Sequence, residues 1–236
     1  MGMLDEHWIS YPAALTGELD AFERLKLRWR GRPQVRFLDA VVARPDDPAA
    51  DALLRPAAGG SGTGAPAEPD VVVVPGGGSS FPDARIGPGH FVEWALALAG
   101  QGRRVVVVGG PAFDVPVAAT ARLPLLRGVP AGTLMALLQR ARLVLVNGGD
   151  TLAQALALGR PCVAVPIAGD QAARIARAAA LGVVVAPPPE SVAAECARLL
   201  DDAAASQALQ ARLADLGWRD AMPQVLASLG GFLRLA

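Results

Sequence analysis

Behind Arg142 the chain runs Leu-Val-Leu-Val146, a short stretch with no alternation of polar and apolar residues. A strand made of such a stretch has to be covered on both faces, which is the condition of a parallel sheet with helices on either side. Asn147-Gly-Gly-Asp150 follows, turn chemistry built on residues that tolerate positive φ. Thr151 to Leu158 then reads as a helix, stopped by Gly159-Arg160-Pro161. Cys162 to Pro166 is the next buried strand, and Asp170-Gln171 lie just beyond its carboxyl end. In open parallel sheets, ligands bind in the crevice outside the carboxyl ends of the strands. Both polar clusters, 147–151 and 170–171, fall there.

The same unit recurs on both sides of this stretch. Val71–Val74 is a strand that runs into the glycine loop Pro75-Gly-Gly-Gly-Ser-Ser80. His90 to Ala99 reads as a helix, and Arg103 to Val108 as a strand ending in Gly109-Gly110. Ala121 to Leu126 is a weaker strand, and Ala131 to Arg140 a helix that packs Leu134, Leu137 and Leu138. After Gln171 come a helix to Leu181, a strand Val183–Val185, and helices Ser191–Asp202 and Ser206–Leu216. Strands alternating with helices predict a Rossmann-like, doubly wound parallel sheet of about six strands with right-handed crossovers. Residues 71–218 form this domain, and 219–236 a C-terminal helix. Residues 1–44 form an N-terminal helical segment, in which Ala21–Trp29 spaces Phe22, Leu25 and Trp29 at helical intervals. Gln34–Val42 is a strand or an entry linker. Residues 45–70, rich in Pro, Ala and Gly, read as a flexible linker or loop.

The totals exclude several classes. The formal net charge is zero, which gives no electrostatic argument for nucleic acid or an anionic membrane. No apolar run is long enough to span a bilayer, and the acidic, polar start is no secretory signal. The two cysteines, Cys162 and Cys196, read as reduced core residues of a cytoplasmic protein. No His/Cys cluster has metal spacing, and no G-x-S-x-G elbow is present. The loop after Val74 is not a dinucleotide fingerprint: no helix starts at the required spacing, and Val108 runs into Gly109 without an acidic residue.

From about Asp70 to Leu216 the chain resembles the C-terminal, donor-binding half of GT-B glycosyltransferases. The likeness is to the MurG-type N-acetylglucosaminyltransferases and the UDP-glycosyltransferase superfamily. The residues that carry it are Leu134 to Gly149, Thr151 to Pro166 and Asp170-Gln171. They follow the family order of apolar helix, strand, His-Gly-Gly-like turn, Thr-x-x-Glu-Ala-Leu helix, Gly-x-Pro, strand ending in Pro, and Asp-Gln. The turn is also similar to that of PseG, a UDP-sugar hydrolase of the same architecture. Three positions depart from the pattern: Asn147 replaces a His, Gln154 a Glu that holds the ribose, and Arg174 a common Asn.

The resemblance implies metal-independent transfer of a hexose from a nucleotide-diphosphate sugar, a UDP-sugar by family analogy. The nucleotide sugar is a substrate, and no cofactor or metal is expected. Gly77, Gly78 and Ser79 would lie at the cleft, and Val129 at the helix start that holds the base. Asn147, Gly148, Gly149, Asp150 and Thr151 would seat the diphosphate on free helix N–H groups, although the same glycines also make a plain tight turn. Asp150 opposes the anion, because a carboxylate there caps the amides itself. Gln154 would bridge the ribose hydroxyls, or serve as an ordinary helix amide. Asp170 and Gln171 would bond the sugar, with Asp170 also suited to capping the next helix. Arg174 would pair with Asp170 or reach a phosphate. His90 is the one candidate for a general base, against its reading as a helix-start surface residue. A full GT-B enzyme carries an N-terminal acceptor domain, of which residues 1–44 would be a remnant, so a partner chain supplying that domain, or a homodimer, is expected. Two other readings fit the same residues: a PseG-like nucleotide-sugar hydrolase, and a non-catalytic descendant that binds a nucleotide or a protein.

Overall fold

The computed structural model describes residues 6–17, 21–30, 34–57, 68–77, 85–113 and 123–234. Its centre is a six-stranded sheet of β3 (Val71–Gly76), β4 (Val105–Gly109), β5 (Leu125–Arg127), β6 (Leu143–Val146), β7 (Cys162–Ala164) and β8 (Val184–Val185). The spatial order is β5-β4-β3-β6-β7-β8, and every pairing is parallel. The order reverses between β3 and β6, which makes the space above their carboxyl ends the topological switch point.

Alternate residues of each strand supply two separate cores. Val72, Val74, Val106, Val108, Val144 and Val146 face α5 (Ala131–Arg140) and α6 (Asp150–Ala157), joined by Ile175 and Ala178 of α7 (Gly169–Ala180). Val71, Val73, Val105, Val107, Leu143 and Leu145 face α4 (Pro88–Gly100), α8 (Val192–Asp201) and α9 (Ala203–Leu216). Strands buried on both faces have no polar side, which is why their sequence shows no alternation.

Before the sheet come β1 (Glu6–Ile9), α1 (Ala13–Thr16), α2 (Ala21–Arg30) and β2 (Gln34–Phe37), with β1 and β2 paired in parallel. Residues 45–70 do not read out as a loop throughout: Asp47–Ala57 is helix α3. Its start is fixed by Asp46, whose carboxylate accepts from Ala49 N–H at 3.2 Å, and Pro48 sits where a helix tolerates proline. Ala50 and Leu54, one turn apart, bury against the α5 side of the sheet, and Arg140 pairs with Asp47 and Asp51. Composition rich in Pro and Ala hides this helix, because its stability comes from tertiary burial. The glycine-rich part of that stretch, 58–67, lies outside the described residues. The C-terminal helix α10 (Met222–Arg234) follows a tie back to the N-terminal segment, where Ala221 N–H donates to Ala40 O at 2.7 Å and Val42 N–H to Asp220 at 3.0 Å.

Candidate functional site

The carboxyl ends of β3 and β4 are glycine because two backbones meet there. A Cβ on Gly110 would lie 2.5 Å from the Cα of Gly77, and Gly110 N–H donates to Gly76 O at 3.0 Å. Gly76 has φ +109°, and a Cβ there would sit 2.2 Å from the amide nitrogen of Asn147. Such closeness leaves a cavity of about 290 Å³ above the sheet, at the small end of ligand sites. Gly76 and Gly77 form one wall, Gly109 to Pro111 another, and Gly128, Val129 and Ala131 the third. Thr151, in the first turn of α6, reaches it from the β6 side. Gly77, Val129 and Thr151 are thus brought together from three places in the sequence. Gly78 and Ser79 lie outside the described residues.

The other expected residues are committed to the protein itself. Asn147 is buried and ties the two switch-point loops: its amide donates to Pro75 O at 2.8 Å and its oxygen accepts from Gly149 N–H at 2.8 Å. Gln171 is buried too, and its oxygen accepts from Gly148 N–H at 3.2 Å and Ile167 N–H at 3.0 Å. The amides of Gly148 and Gly149 are therefore already used, and an anion seat at this helix start narrows to those of Asp150 and Thr151. The Gln154 side-chain amide donates to Val41 O at 3.0 Å, holding the segment after β2. Asp170 does not cap α7. That position is Ala168, and Asp170 stands exposed in the first turn, bonded to Arg174 at 3.1 Å. His90 Nδ1 accepts from Gly87 N–H at 3.2 Å and so closes the start of α4. It is not among the residues lining the cavity.

Sequence reading missed Tyr11. Its hydroxyl donates to the Asp150 carboxylate, and the Arg174 guanidinium lies over its ring, 4.3 Å from the centroid. Arg174 also donates to the carbonyl of Gly148. One cluster thus binds the N-terminal segment to the starts of α6 and α7. Burial, followed by the bond to Asp150, holds the phenol well above its ordinary value of 10.0. The anticipated clash of Asp150 with an anion is softened, since its charge is shared with Tyr11 and lies near Arg174. Nothing local marks Tyr11, because its partner lies 139 residues away.

A parallel sheet in this order, with a glycine-walled cleft at its switch point, is a Rossmann-like arrangement, and the solved structures that share it here are glycosyltransferases matched over about half their length. Among solved structures, the kitacinnamycin glycotransferase superposes with a TM-score of 0.57 at 19% identity, covering 90% of this chain and 50% of its own. The glycosyltransferase SnogD from Streptomyces nogalater gives 0.56 at 20%, covering 94% and 54%. The spinosyn rhamnosyltransferase SpnG, complexed with thymidine diphosphate, gives 0.52 at 20%, covering 82% and 49%. The chain spans about half the length of the structures it matches. The matched part exceeds the sheet domain and takes in segments before β3. No protein-family model matches the chain, and no curated protein matches it by sequence.

Proposed function

We propose that this chain binds a nucleoside-diphosphate sugar and serves as the donor half of a metal-independent hexosyltransferase, with the acceptor held by another domain or chain. The observation that carries the reading is the cavity at the switch point, where the α5 start, the β3 loop and Thr151 converge. Its walls are mostly backbone and aliphatic, which suits a flat base placed against Val129 and Ala131. The diphosphate then lies toward Thr151, over the free N–H groups at the start of α6. Those fixed dipoles would stabilise charge building on the leaving diphosphate. Arg174, which lies over the Tyr11 ring and donates to the Gly148 carbonyl, puts a cation beside the start of α6. Among the described residues lining the cavity none carries an acid or a base, which favours a base supplied with the acceptor. A pyrimidine nucleotide is the natural first ligand: the family resemblance points to UDP, and one neighbour was solved with thymidine diphosphate.

Calorimetric titration of the chain with UDP and with thymidine diphosphate tests this. Micromolar binding to one of them, abolished by Thr151→Asp with the fold intact, is the expected result. Failure of UDP, GDP, thymidine diphosphate and CMP alike to bind the folded chain would overturn it.

A further inference from the structure

Helix α2 presents its apolar face to solvent. Phe22 is 73% exposed, Leu25 64% and Trp29 91%, although the spacing suits a core helix. At 100° per residue these three side chains share an arc of about 60°. Lys26 and Arg28, both exposed, flank that arc on either side. Over Ala21–Arg30 the sequence carries Arg24, Lys26, Arg28 and Arg30 against the single acidic Glu23. Leu27, on the opposite side, is half-buried. The zero net charge of the whole chain conceals this local excess.

We propose that α2 is an interfacial helix that docks the protein on an anionic lipid surface. An aromatic and aliphatic stripe with basic residues on both edges fits the boundary between headgroups and acyl chains. The stripe enters, and the cations pair with anionic headgroups at its rim. Trp29, the most exposed of the three, is the residue type favoured at that depth. At ten residues the helix is far too short to span a bilayer, so it lies in the surface plane. A second copy of the chain fits less well, because pairing α2 with α2 brings two rows of cations together.

Co-sedimentation of the full chain with vesicles tests the proposal, using phosphatidylcholine alone and phosphatidylcholine mixed with phosphatidylglycerol. The expected result is binding to the mixed vesicles at least about tenfold tighter than to the neutral ones, weakening as salt is raised. Lys26→Glu with Arg28→Glu removes that preference, and Phe22→Ser with Trp29→Ser removes the residual binding. These positions are exposed, and circular dichroism checks that each variant keeps the native fold. No binding to mixed vesicles, equal binding to both kinds, or binding untouched by both variant pairs would overturn it. So would a concentration-dependent dimer in gel filtration that disappears in the Phe22→Ser, Trp29→Ser chain.

Discussion

Tyr11 is the single tyrosine of the chain, so its ionisation can be followed alone. Burial and the hydrogen bond to Asp150 favour the neutral phenol in the folded state. Tyrosinate absorbance of the native protein should therefore stay flat through about pH 11, where a free phenol is already ionised. Unfolding in denaturant should restore titration near the ordinary value, and Asp150→Asn should lower the native midpoint. A native midpoint near 10 would sink the assignment. The sign for stability follows: this contribution is whole below the unfolded value and is lost as pH rises beyond it. Gln171 offers a second measurement. Removing its oxygen strands two backbone N–H groups, of Gly148 and Ile167, each worth about 1–3 kcal/mol when left unpaired in the interior. Gln171→Ala should cost about 2–5 kcal/mol in urea unfolding, and Gln171→Glu, which keeps the acceptor, should cost much less. If Gln171→Ala were neutral in stability and only weakened ligand binding, the sugar-contact expectation would be the better account.

Between elements, one ion cluster joins the amino-terminal ends of three strands. Asp70, just before β3, accepts from Arg104 N–H at 2.9 Å and pairs with the Arg104 and Arg142 guanidiniums at 3.1 and 3.3 Å. Burial by itself would raise the carboxyl, but the Arg104 bonds and then Arg142 outweigh it, and its folded pKa is lowered. A lowered folded value means the contribution is complete above the unfolded carboxylate range, near pH 4, and is lost as pH falls through the folded value. Stability measured from pH 6 down to 3 should drop more steeply in the native chain than in Asp70→Asn. Parallel curves would show that the cluster contributes nothing. Helices α2 and α3 show where local pattern misleads at this scale. The helical spacing of Phe22, Leu25 and Trp29 predicts an element without saying what covers it. In α3, Pro and Ala conceal an element whose Leu54 is wholly inside.

For the molecule as a whole, the central expectation is ligand linkage. A nucleotide that binds only the folded chain stabilises it by about 2.7 kcal/mol at a hundred times its dissociation constant. For a chain of this size, that is a rise in Tm of roughly 5–10 °C. UDP or thymidine diphosphate should produce it, and Thr151→Asp should erase it. A shift retained in that variant would move the ligand away from the α6 start.

The inner strands β3, β4, β6 and β7 were legible because burial on both faces leaves a signature in each, and the partly exposed edge strands β5 and β8 were legible from their alternation with helices. The glycines at 76, 77, 109 and 110 likewise announced loops at the carboxyl edge. Which polar residues tie neighbouring loops together was not legible. Asn147, Gln154 and Gln171 stand at positions that hold a donor in the resembling family, yet each spends hydrogen bonds on backbone groups of neighbouring loops. Tyr11 carried no sign of its place against Asp150. Periodicity records only whether a side chain is covered by apolar neighbours. The partner of a hydrogen bond is set by which distant segments the fold brings within about 3 Å, and only the tertiary structure decides that.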